Sequence, residues 1–294
     1  MVPALTAPFA AALCGFRANG NPNTSDSNDS QSIELGIALF DELGVVADAP
    51  DIAQVGSVLE RRTVSDLVAR RPDLEIRESR SALEFDQYEH LAVFRKFSRA
   101  YAGPGSALEI ELREIMTART SPEVAKVLRK ALAAEEQRRQ DHELVMQLAE
   151  SMPEESMLRL DVTVGETSGR HRLLVGLSSK WSLRTDRAQD CISQGAKLVN
   201  LRRGRMPHYA VLTMEPRPSM LRLIAYGSGA VDCVYHLALP ELRRALKAAE
   251  ARRKGMWAPR QYLERMVRQG RIRDYDDLVQ EIGDLPAGRV APSK

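Results

Sequence analysis

The chain has 294 residues, of which 44% are hydrophobic and 28% are charged, and both fractions are close to those of ordinary globular proteins. This composition excludes a wholly disordered chain and a fibrous repeat, and the length allows one large domain or two small ones. The formal net charge of +2 neither requires nor excludes a nucleic-acid partner, and three scattered cysteines argue against a disulfide framework and favour a reducing cytoplasm.

The first half of the chain is predicted to be mostly helical. Its N-terminal run, MVPALTAPFAAALCGF, lacks the basic start of a signal peptide and is too short to span a bilayer, so no membrane association is expected. The small polar residues 18–32 indicate a loop, or a segment that orders only on contact with a partner. A short amphipathic helix should follow, with Ile33, Ile37 and Phe40 on its apolar side, and Gly44 should end it.

The second half changes to a mixture of strands and helices. MLRLDVTV alternates between apolar and polar residues, which is typical of a strand, and HRLLVGLSSK would return beside it after the turn GETSG. AQDCISQGAKLVNLR and ELRRALKAAEARRK indicate helices, whereas HYAVLTM, LRLIAYG and AVDCVYH indicate strands. This order predicts one α/β domain over residues 1–294, with a central mixed β-sheet flanked by helices. Its helical part would cover about 31–150 and its sheet-bearing part about 155–250, before a helical C-terminal end.

Asp161 and Lys180 are the first candidate site. Asp161 lies on the polar side of its strand and Lys180 ends the returning strand, so a hairpin can bring a carboxylate and an ammonium group into one cleft. Phosphodiester hydrolysis uses a carboxylate to hold a divalent ion and a cation to stabilise charge on the phosphate. The alternative is a solvated aspartate and an unrelated lysine. A hairpin that pairs Val164 with His171 would place Asp161 opposite Leu174, so a bulge or a longer turn is needed to align the two groups.

Arg184, Asp186 and Arg187 follow within seven residues of Lys180 and form an R-x-D-R cluster. Where a strand turns into a helix, these three side chains can project to one side. Arginine can donate two hydrogen bonds to O6 and N7 of guanine, and aspartate can accept one from N4 of cytosine, so the cluster suits G·C base pairs. The alternative is a surface network of ion pairs, since the chain contains 42 basic and 40 acidic residues.

Two further groups are candidates in the same half. Arg187, Cys191 and Gln194 fall on one face of the predicted helix, so Gln194 could point back toward the cleft; the alternative is a polar helix face with a buried thiol. The loop segment NLRRGRMPH is either a phosphate-contact patch or a solvated basic turn. Its arginines are Arg202, Arg203 and Arg205.

Glu60 has a structural interpretation to begin with. Ser57 followed three residues later by Glu60 is the pattern of a capping box, in which the glutamate returns to the backbone N–H of the serine. No glycine-rich phosphate loop of the GxxxxGKS or GxGxxG type occurs in the chain.

Several long motifs, taken in order, resemble one known family. SSKWSLRTDRAQ is followed by SQGAKLVNLRRGRMPH, TMEPRPS and GSGAVDCVYHLALPEL, and all four closely resemble segments of the NgoMIV family of type II restriction endonucleases. GSVLE and EFDQYEHLA resemble N-terminal helices of this family, and MVRQGRIRDYDDL resembles its C-terminal end. The resemblance covers about residues 31–285 and implies the PD-(D/E)XK restriction-endonuclease-like fold.

The resemblance also implies a function and assigns roles. It implies Mg²⁺-dependent cleavage of double-stranded DNA at GCCGGC, in the prokaryotic cytoplasm, by a homodimer or homotetramer with a companion DNA cytosine methyltransferase. Lys180 resembles the catalytic lysine and Asp161 the metal-binding aspartate, with Ser179 as a second metal ligand. Glu60 resembles the helix-borne acidic residue near the active site. The residues that would recognise the CCGG core are Arg184, Asp186 and Arg187.

Two departures from the family pattern carry expectations of their own. Gln194 stands in the catalytic site where the family has a glutamate; it keeps an oxygen ligand but removes a negative charge, so Gln194→Glu should raise the cleavage rate. Met220 replaces an arginine and residues 23–30 match only loosely, which leaves the outer base pairs open. The rival hypotheses are a catalytically silent CCGG-specific DNA-binding protein and a structure-specific repair nuclease.

Overall fold

The computed structural model describes residues 6–93, 106–117, 121–151, 158–167, 171–253 and 257–287. The chain divides into two compact units. The first combines Met1–Tyr88 with Leu158–Lys294, and the second is Glu89–Met157.

The first unit contains a six-stranded mixed sheet whose strands neighbour one another in chain order. They are β1 (Glu75–Ser81), β2 (Arg159–Gly165), β3 (Leu173–Lys180), β4 (His208–Thr213), β5 (Cys233–His236) and β6 (Ile272–Asp274). β1 and β3 both run antiparallel to β2, whereas β3 to β6 are parallel to one another. Because β3, β4 and β5 are parallel, their carboxyl ends lie at the same edge of the sheet.

Helices follow or precede most of these strands. In chain order the described α-helices are α1 (Ser30–Leu43), α2 (Val55–Arg70), α3 (Ser106–Thr117), α4 (Pro122–Ser151), α5 (Thr185–Leu201), α6 (Pro218–Gly227), α7 (Leu239–Ala251), α8 (Ala258–Arg268) and α9 (Tyr275–Gly283). α3 and α4 belong to the second unit, and the others belong to the first. α2 packs against β1, β2 and β3, and α9 packs against β5 and β6. The prediction of a mixed sheet flanked by helices is therefore confirmed.

The hairpin of β2 and β3 follows its apolar pattern. Leu160, Val162 and Val164 are fully buried and share one face of β2, because side chains alternate along a strand. The opposite face carries Asp161. The register pairs Val162 with Leu177, and it shifts after Val164. The irregularity moves the pairing by one residue, and the turn is longer than a pairing of Val164 with His171 would allow, since Val164 pairs with Val175. Both features together place Asp161 level with Ser178 instead of Leu174.

Two elements differ from the sequence prediction. LRLIAYG was expected to be a strand but forms most of α6, which begins with Pro218 in its first turn and buries Leu221, Ile224 and Ala225. That spacing follows a helix, and proline suits the first helical position. The strand β1 lies in the segment expected to be helical; the polar sequence EIRESRS gives little sign of it, because β1 is an edge strand that pairs with β2 alone.

The apolar face of α1 was also predicted incorrectly in part. The helix begins after Asp29 and ends at Gly44, whose φ of 69° suits glycine, so the stop is confirmed. Its buried residues are Ser32, Leu35, Gly36, Leu39 and Phe40, whereas Ile37 is 41% exposed. No helix among the described residues is long and apolar enough to cross a membrane.

Candidate active site

Asp161 accepts hydrogen bonds from three consecutive residues at the end of β3. Its Oδ2 lies 2.8 Å from Nζ of Lys180, 2.7 Å from the backbone N of Ser179 and 3.2 Å from Oγ of Ser178. The Lys180 and Asp161 side chains each keep about a quarter of their surface exposed. All three bonds reach the same carboxylate oxygen, Oδ2.

Ser178 and Ser179 contribute differently to this cluster. The hydroxyl of Ser178 faces Asp161, and its neighbour Ser179 directs its side chain to the opposite face of the strand. The Ser179 hydroxyl is buried and has no hydrogen-bond partner within the described residues. Beside Asp161, Ser179 therefore contributes its backbone. The sequence prediction did not include Ser178, although its position two residues before Lys180 on one strand places both side chains on one face.

Glu60 projects from α2 toward the same charges. The predicted capping box is wrong, because α2 begins at Val55 after Gln54, and Ser57 already lies inside the helix. The pKa of Glu60 is raised to about 7: burial is the largest cause, the nearby Asp161 carboxylate adds to the rise, and Lys180 opposes it. A carboxyl group with this pKa can hold or release a proton near neutral pH.

The Asp161 carboxylate, with the Glu60 carboxyl group near it, fits a divalent ion such as Mg²⁺. Carboxylate, hydroxyl and backbone oxygens are the ligands that Mg²⁺ prefers, and it usually keeps several waters and binds through one or two carboxylates plus a substrate phosphate. No group of three or more His, Cys, Asp or Glu side chains converges on a metal position in the part of the chain that the structure describes. The residues present therefore suit an ion that is completed by water and substrate, and not a closed protein cage.

Gln194 lies on α5 next to the start of β2. Its Nε2 donates a hydrogen bond to the backbone carbonyl of Arg159, and its Oε1 lies 2.9 Å from the hydroxyl of Tyr209. α5 comes this close to β4 because residue 195 is glycine: a Cβ there would lie 2.8 Å from the Tyr209 ring. The sequence analysis expected Gln194 to point back toward the cleft; its amide is engaged by two protein groups, the Arg159 carbonyl and the Tyr209 hydroxyl.

The recognition cluster, which we define as Arg184, Asp186 and Arg187, lies directly beyond Lys180. Arg184 is the N-cap of α5, and all three side chains are exposed. The Arg184 guanidinium lies 3.6 Å from the Asp186 carboxylate, an exposed pair of small energetic weight. Arg184 and Arg187 line a cavity of about 260 Å³ together with Arg17 and residues 25–28.

A second cavity shares Arg17 and Arg187 with the first and extends to Lys180. It has a volume of about 590 Å³, and its lining includes Lys180, Ser179 and Arg187. A molecule in this cavity would therefore contact Lys180 and Arg187 at the same time.

Comparison with known proteins identifies the family. The model of the family described as NgoMIV restriction enzyme matches residues 62–283. The chain belongs to the NgoMIV restriction enzyme family. The resemblance inferred from the sequence motifs is thereby confirmed.

One curated relative supports the same assignment. The type II restriction enzyme NgoMIV of Neisseria gonorrhoeae is 50% identical to this chain over 76 residues, which are 26% of this chain and 27% of that enzyme. The chain thus aligns with about a quarter of that relative. The region matched to the NgoMIV restriction enzyme family includes Asp161, Lys180, Gln194 and the recognition cluster, whereas Glu60 lies two residues before it.

The basic loop that follows α5 lies away from this site. β3 and β4 are parallel, Lys180 is level with Thr213, and His208 is level with Val175. The loop comes just before His208, so it lies at the end of the sheet opposite to the carboxyl ends of the parallel strands. At the usual rise per residue of a strand, Val175 and Lys180 are about 17 Å apart, and the loop is about that far from Lys180. Its arginines are Arg202, Arg203 and Arg205. The structure does not bring them together with the recognition cluster of the same chain.

Sequence reasoning missed a buried ion pair between Glu215 and Arg217. The two side chains are 0% and 4% exposed, and Nε of Arg217 lies 2.6 Å from Oε1 of Glu215. Burial raises the pKa of Glu215, although hydrogen bonds from Arg217 oppose the shift. The sequence contains a faint sign of the pair in EPRPS, where a glutamate and an arginine alternate with two prolines.

Proposed function

We propose that this chain is a type II restriction endonuclease that hydrolyses both strands of DNA, with Mg²⁺, at a palindrome with a CCGG core, GCCGGC in full. The observation that carries the proposal is the Asp161–Lys180 pair at the carboxyl end of β3, followed within seven residues by three exposed side chains that can contact base edges. Both features lie in the region matched to the family.

Asp161, Lys180 and Glu60 would carry out the chemistry. Asp161 and the backbone of Ser179 beside it would hold the metal ion, with water and a DNA phosphate as its other ligands. A bound divalent ion stabilises the negative charge that develops on the phosphate. Lys180, held 2.8 Å from Asp161, places its ammonium where it can hydrogen bond to the attacking water or to the phosphate. Glu60, with its pKa of about 7, can take up a proton near neutral pH.

The recognition cluster would supply sequence specificity. Arg184 and Arg187 can each donate two hydrogen bonds to a guanine, and Asp186 can accept from a cytosine. A two-fold symmetric dimer would let each subunit recognise one half of the palindrome. We extend the proposal to pairing of dimers into a homotetramer, to action in a prokaryotic cytoplasm and to a companion cytosine methyltransferase. Arg202, Arg203 and Arg205 would contact phosphates only where the DNA or a second subunit reaches the opposite edge of the sheet.

A catalytically silent DNA-binding protein is the second candidate. The observation that favours it is Gln194, whose amide donates to the Arg159 carbonyl and which brings no negative charge to the site. A weaker ion site would leave recognition intact and slow or abolish hydrolysis.

Binding and cleavage of two labelled duplexes separate these candidates. One duplex contains GCCGGC and the other lacks CCGG, and each is incubated with wild type and with Asp161→Asn, in Mg²⁺ and in EDTA. We expect wild type to cut both strands in Mg²⁺ and Asp161→Asn to bind without cutting. Specific binding by wild type without cutting would favour the silent protein, and cutting of duplexes that lack CCGG would refute sequence-specific cleavage.

A further inference from the structure

Arg217 links three separate segments of the chain around the recognition cluster. Its guanidinium lies in the connection between β4 and α6, where it pairs with the fully buried Glu215. Nη2 of Arg217 donates to the backbone carbonyl of Leu183 at 2.6 Å, and Nη1 donates to Oδ2 of Asp29 at 3.0 Å. One planar group therefore contacts the turn before α5 and the segment before α1 at the same time.

The backbone N–H and the backbone carbonyl of Leu183, the residue before Arg184, are both hydrogen-bonded to the Glu215–Arg217 pair. The N–H of Leu183 donates to Oε2 of Glu215 at 2.7 Å, while its carbonyl accepts from Arg217. Leu183 is itself buried, so these two bonds satisfy groups that would otherwise be costly to bury. Because Arg184 follows directly as the N-cap of α5, the Glu215–Arg217 pair sets the position from which its side chain begins.

The N-terminal loop is held by the other side of the same guanidinium. Asp29 is the N-cap of α1, and its Oδ1 accepts from the backbone N–H groups of Gln31 and Ser32. Its Oδ2 is left for Arg217, and the Asp26 carboxylate lies 3.8 Å away from the same nitrogen. The loop that ends at Asp29 is thus tied to the turn that carries Arg184.

The two segments tied by Arg217 line one cavity. Its lining consists of residues 25–28, Arg17, Ser182, Leu183, Arg184 and Arg187. Arginine suits this link because its fork has several donors in a fixed plane, which a lysine ammonium cannot reproduce. A buried ion pair is weak evidence for stability, since removal of two charges from water costs about as much as their attraction returns. The position of the Glu215–Arg217 pair between the two segments indicates that it serves to hold them in place.

We propose that Arg217 is a positioning residue for base recognition, which holds the loop 25–29 and the recognition cluster at a fixed separation. This inference rests on the proposed sequence-specific function. A bidentate arginine–guanine contact depends on both hydrogen bonds being made together, so a shift of the cavity walls would weaken the correct contact more than the contact to an altered site. Arg217 would not touch the reacting atoms, and the rate of bond cleavage would not depend on it.

Two variants break the link without stranding a buried charge. Asp29→Asn keeps an oxygen for the N-cap but removes the carboxylate that faces Arg217. Glu215→Gln with Arg217→Met removes both charges of the buried pair and keeps an acceptor for Leu183. Asp41→Asn is the matched control, because Asp41 is an exposed aspartate of α1 that lines neither cavity.

The measured quantity is the preference for the cognate site, that is, the ratio of cleavage of a GCCGGC duplex to cleavage of duplexes that carry one substituted base pair. We expect both link variants to lower the cognate preference by at least about fivefold, the low end of what one bidentate contact provides. Their single-turnover cleavage rate at saturating cognate DNA should stay within about threefold of wild type, and Asp41→Asn should match wild type in both. Equal losses on cognate and altered duplexes, or unchanged discrimination, would overturn the inference.

Gel-shift binding in EDTA gives the same ratio without any cleavage. If wild type binds specifically but does not cut, the proposed activity fails and the inference is still judged from the binding ratio. If wild type shows no sequence preference in binding, the inference falls together with the proposed recognition.

Discussion

Lys180 has the most clearly defined environment of the candidate catalytic residues. It ends β3, shares one face of that strand with Ser178, and contacts Asp161 at 2.8 Å. The pairing is only partly shielded from water, so its direct contribution to stability is small. Its position in a cavity together with the exposed Arg187 fits the proposed contact with an anionic substrate.

Lys180→Met should separate recognition from chemistry. The change removes the ammonium group but keeps an unbranched apolar chain of similar length, so we expect cleavage of a GCCGGC duplex to fall by about 10² to 10⁴-fold. Binding of the same duplex in EDTA should stay within a few-fold of wild type. Lys247→Met on α7 is the control, since Lys247 is exposed and lines neither cavity. A cleavage rate close to that of wild type would remove Lys180 from the mechanism.

His236 provides a test of stability against pH. It is fully buried at the end of β5, and burial lowers its pKa to about 4. Its Nδ1 accepts from the N–H of Ala238, so the neutral ring fits the site. Because the neutral form is favoured in the folded state, His236 contributes to the free energy of unfolding. This contribution is complete above pH 6.5 and is lost as pH falls from 6.5 to 4.

The expected size of this effect is about 2 to 3 kcal/mol between pH 7.5 and pH 4.5. Urea unfolding of wild type and of His236→Asn at the two pH values measures it, because asparagine does not titrate there. Between the two pH values, the free energy of unfolding should fall by about 2 to 3 kcal/mol more for wild type than for His236→Asn. A parallel fall in both proteins would mean that His236 does not contribute to the pH dependence.

At the scale of secondary structure, α5 connects the recognition cluster with Gln194. It follows its N-cap Arg184, carries Gln194 beside β2, and buries Ala188, Cys191, Gly195 and Leu198. The absence of a side chain at Gly195 allows the hydroxyl of Tyr209 to reach the carbonyl of Cys191 at 2.9 Å. A displacement of α5 would therefore move both groups of functional residues.

Gly195→Ala should destabilise the protein despite the higher helix propensity of alanine. Its Cβ would lie 2.8 Å from the Tyr209 ring and 2.9 Å from the carbonyl oxygen of Ala230, and such overpacking costs about 1 to 3 kcal/mol. Gly283→Ala on α9 is the control, because a Cβ there meets no atom within 4 Å. Chemical denaturation compares the two. Equal stability of Gly195→Ala and wild type would show that α5 has room to shift.

The sequence predicted the elements with clear periodicity and missed those that depend on their neighbours. β2, β3, β4, β5 and α5 have regular patterns, and they were identified. LRLIAYG alternates over a few residues like a strand, but tertiary packing of α6 against α5 and α8 selects the helix. β1 has one well-buried apolar residue, Ile76, and exists as a strand because β2 supplies its hydrogen bonds.

The candidate site divides in the same way. Asp161, Lys180 and the recognition cluster lie close together in sequence around one hairpin, so spacing and resemblance were enough to propose them. The contact between Asp29 and Arg217 joins residues 188 positions apart, and no local pattern predicts it. The distance of Arg202, Arg203 and Arg205 from Lys180 also depends on topology, because it follows from the parallel pairing of β3 with β4.

At the scale of the whole molecule, a palindromic site calls for two copies of the recognition cluster. If two dimers pair into a tetramer, a plasmid with two GCCGGC sites should be cut about tenfold faster or more than a plasmid with one, because the second site binds at high effective concentration. The measurement is the initial cleavage rate of the two plasmids at equal site concentration. A one-site plasmid cut at the same rate would argue for a dimer that acts alone.

The most direct test of sequence-specific cleavage is to digest a plasmid of known sequence with the wild-type protein in Mg²⁺ and to sequence the ends of the fragments. Asp161→Asn and wild type in EDTA are the negative controls. We expect wild type with Mg²⁺ to cut at palindromes with a CCGG core, and at GCCGGC if the outer base pairs follow the family. The controls should leave the plasmid intact. Ends scattered over unrelated sequences, or an intact plasmid in every lane, would contradict sequence-specific cleavage.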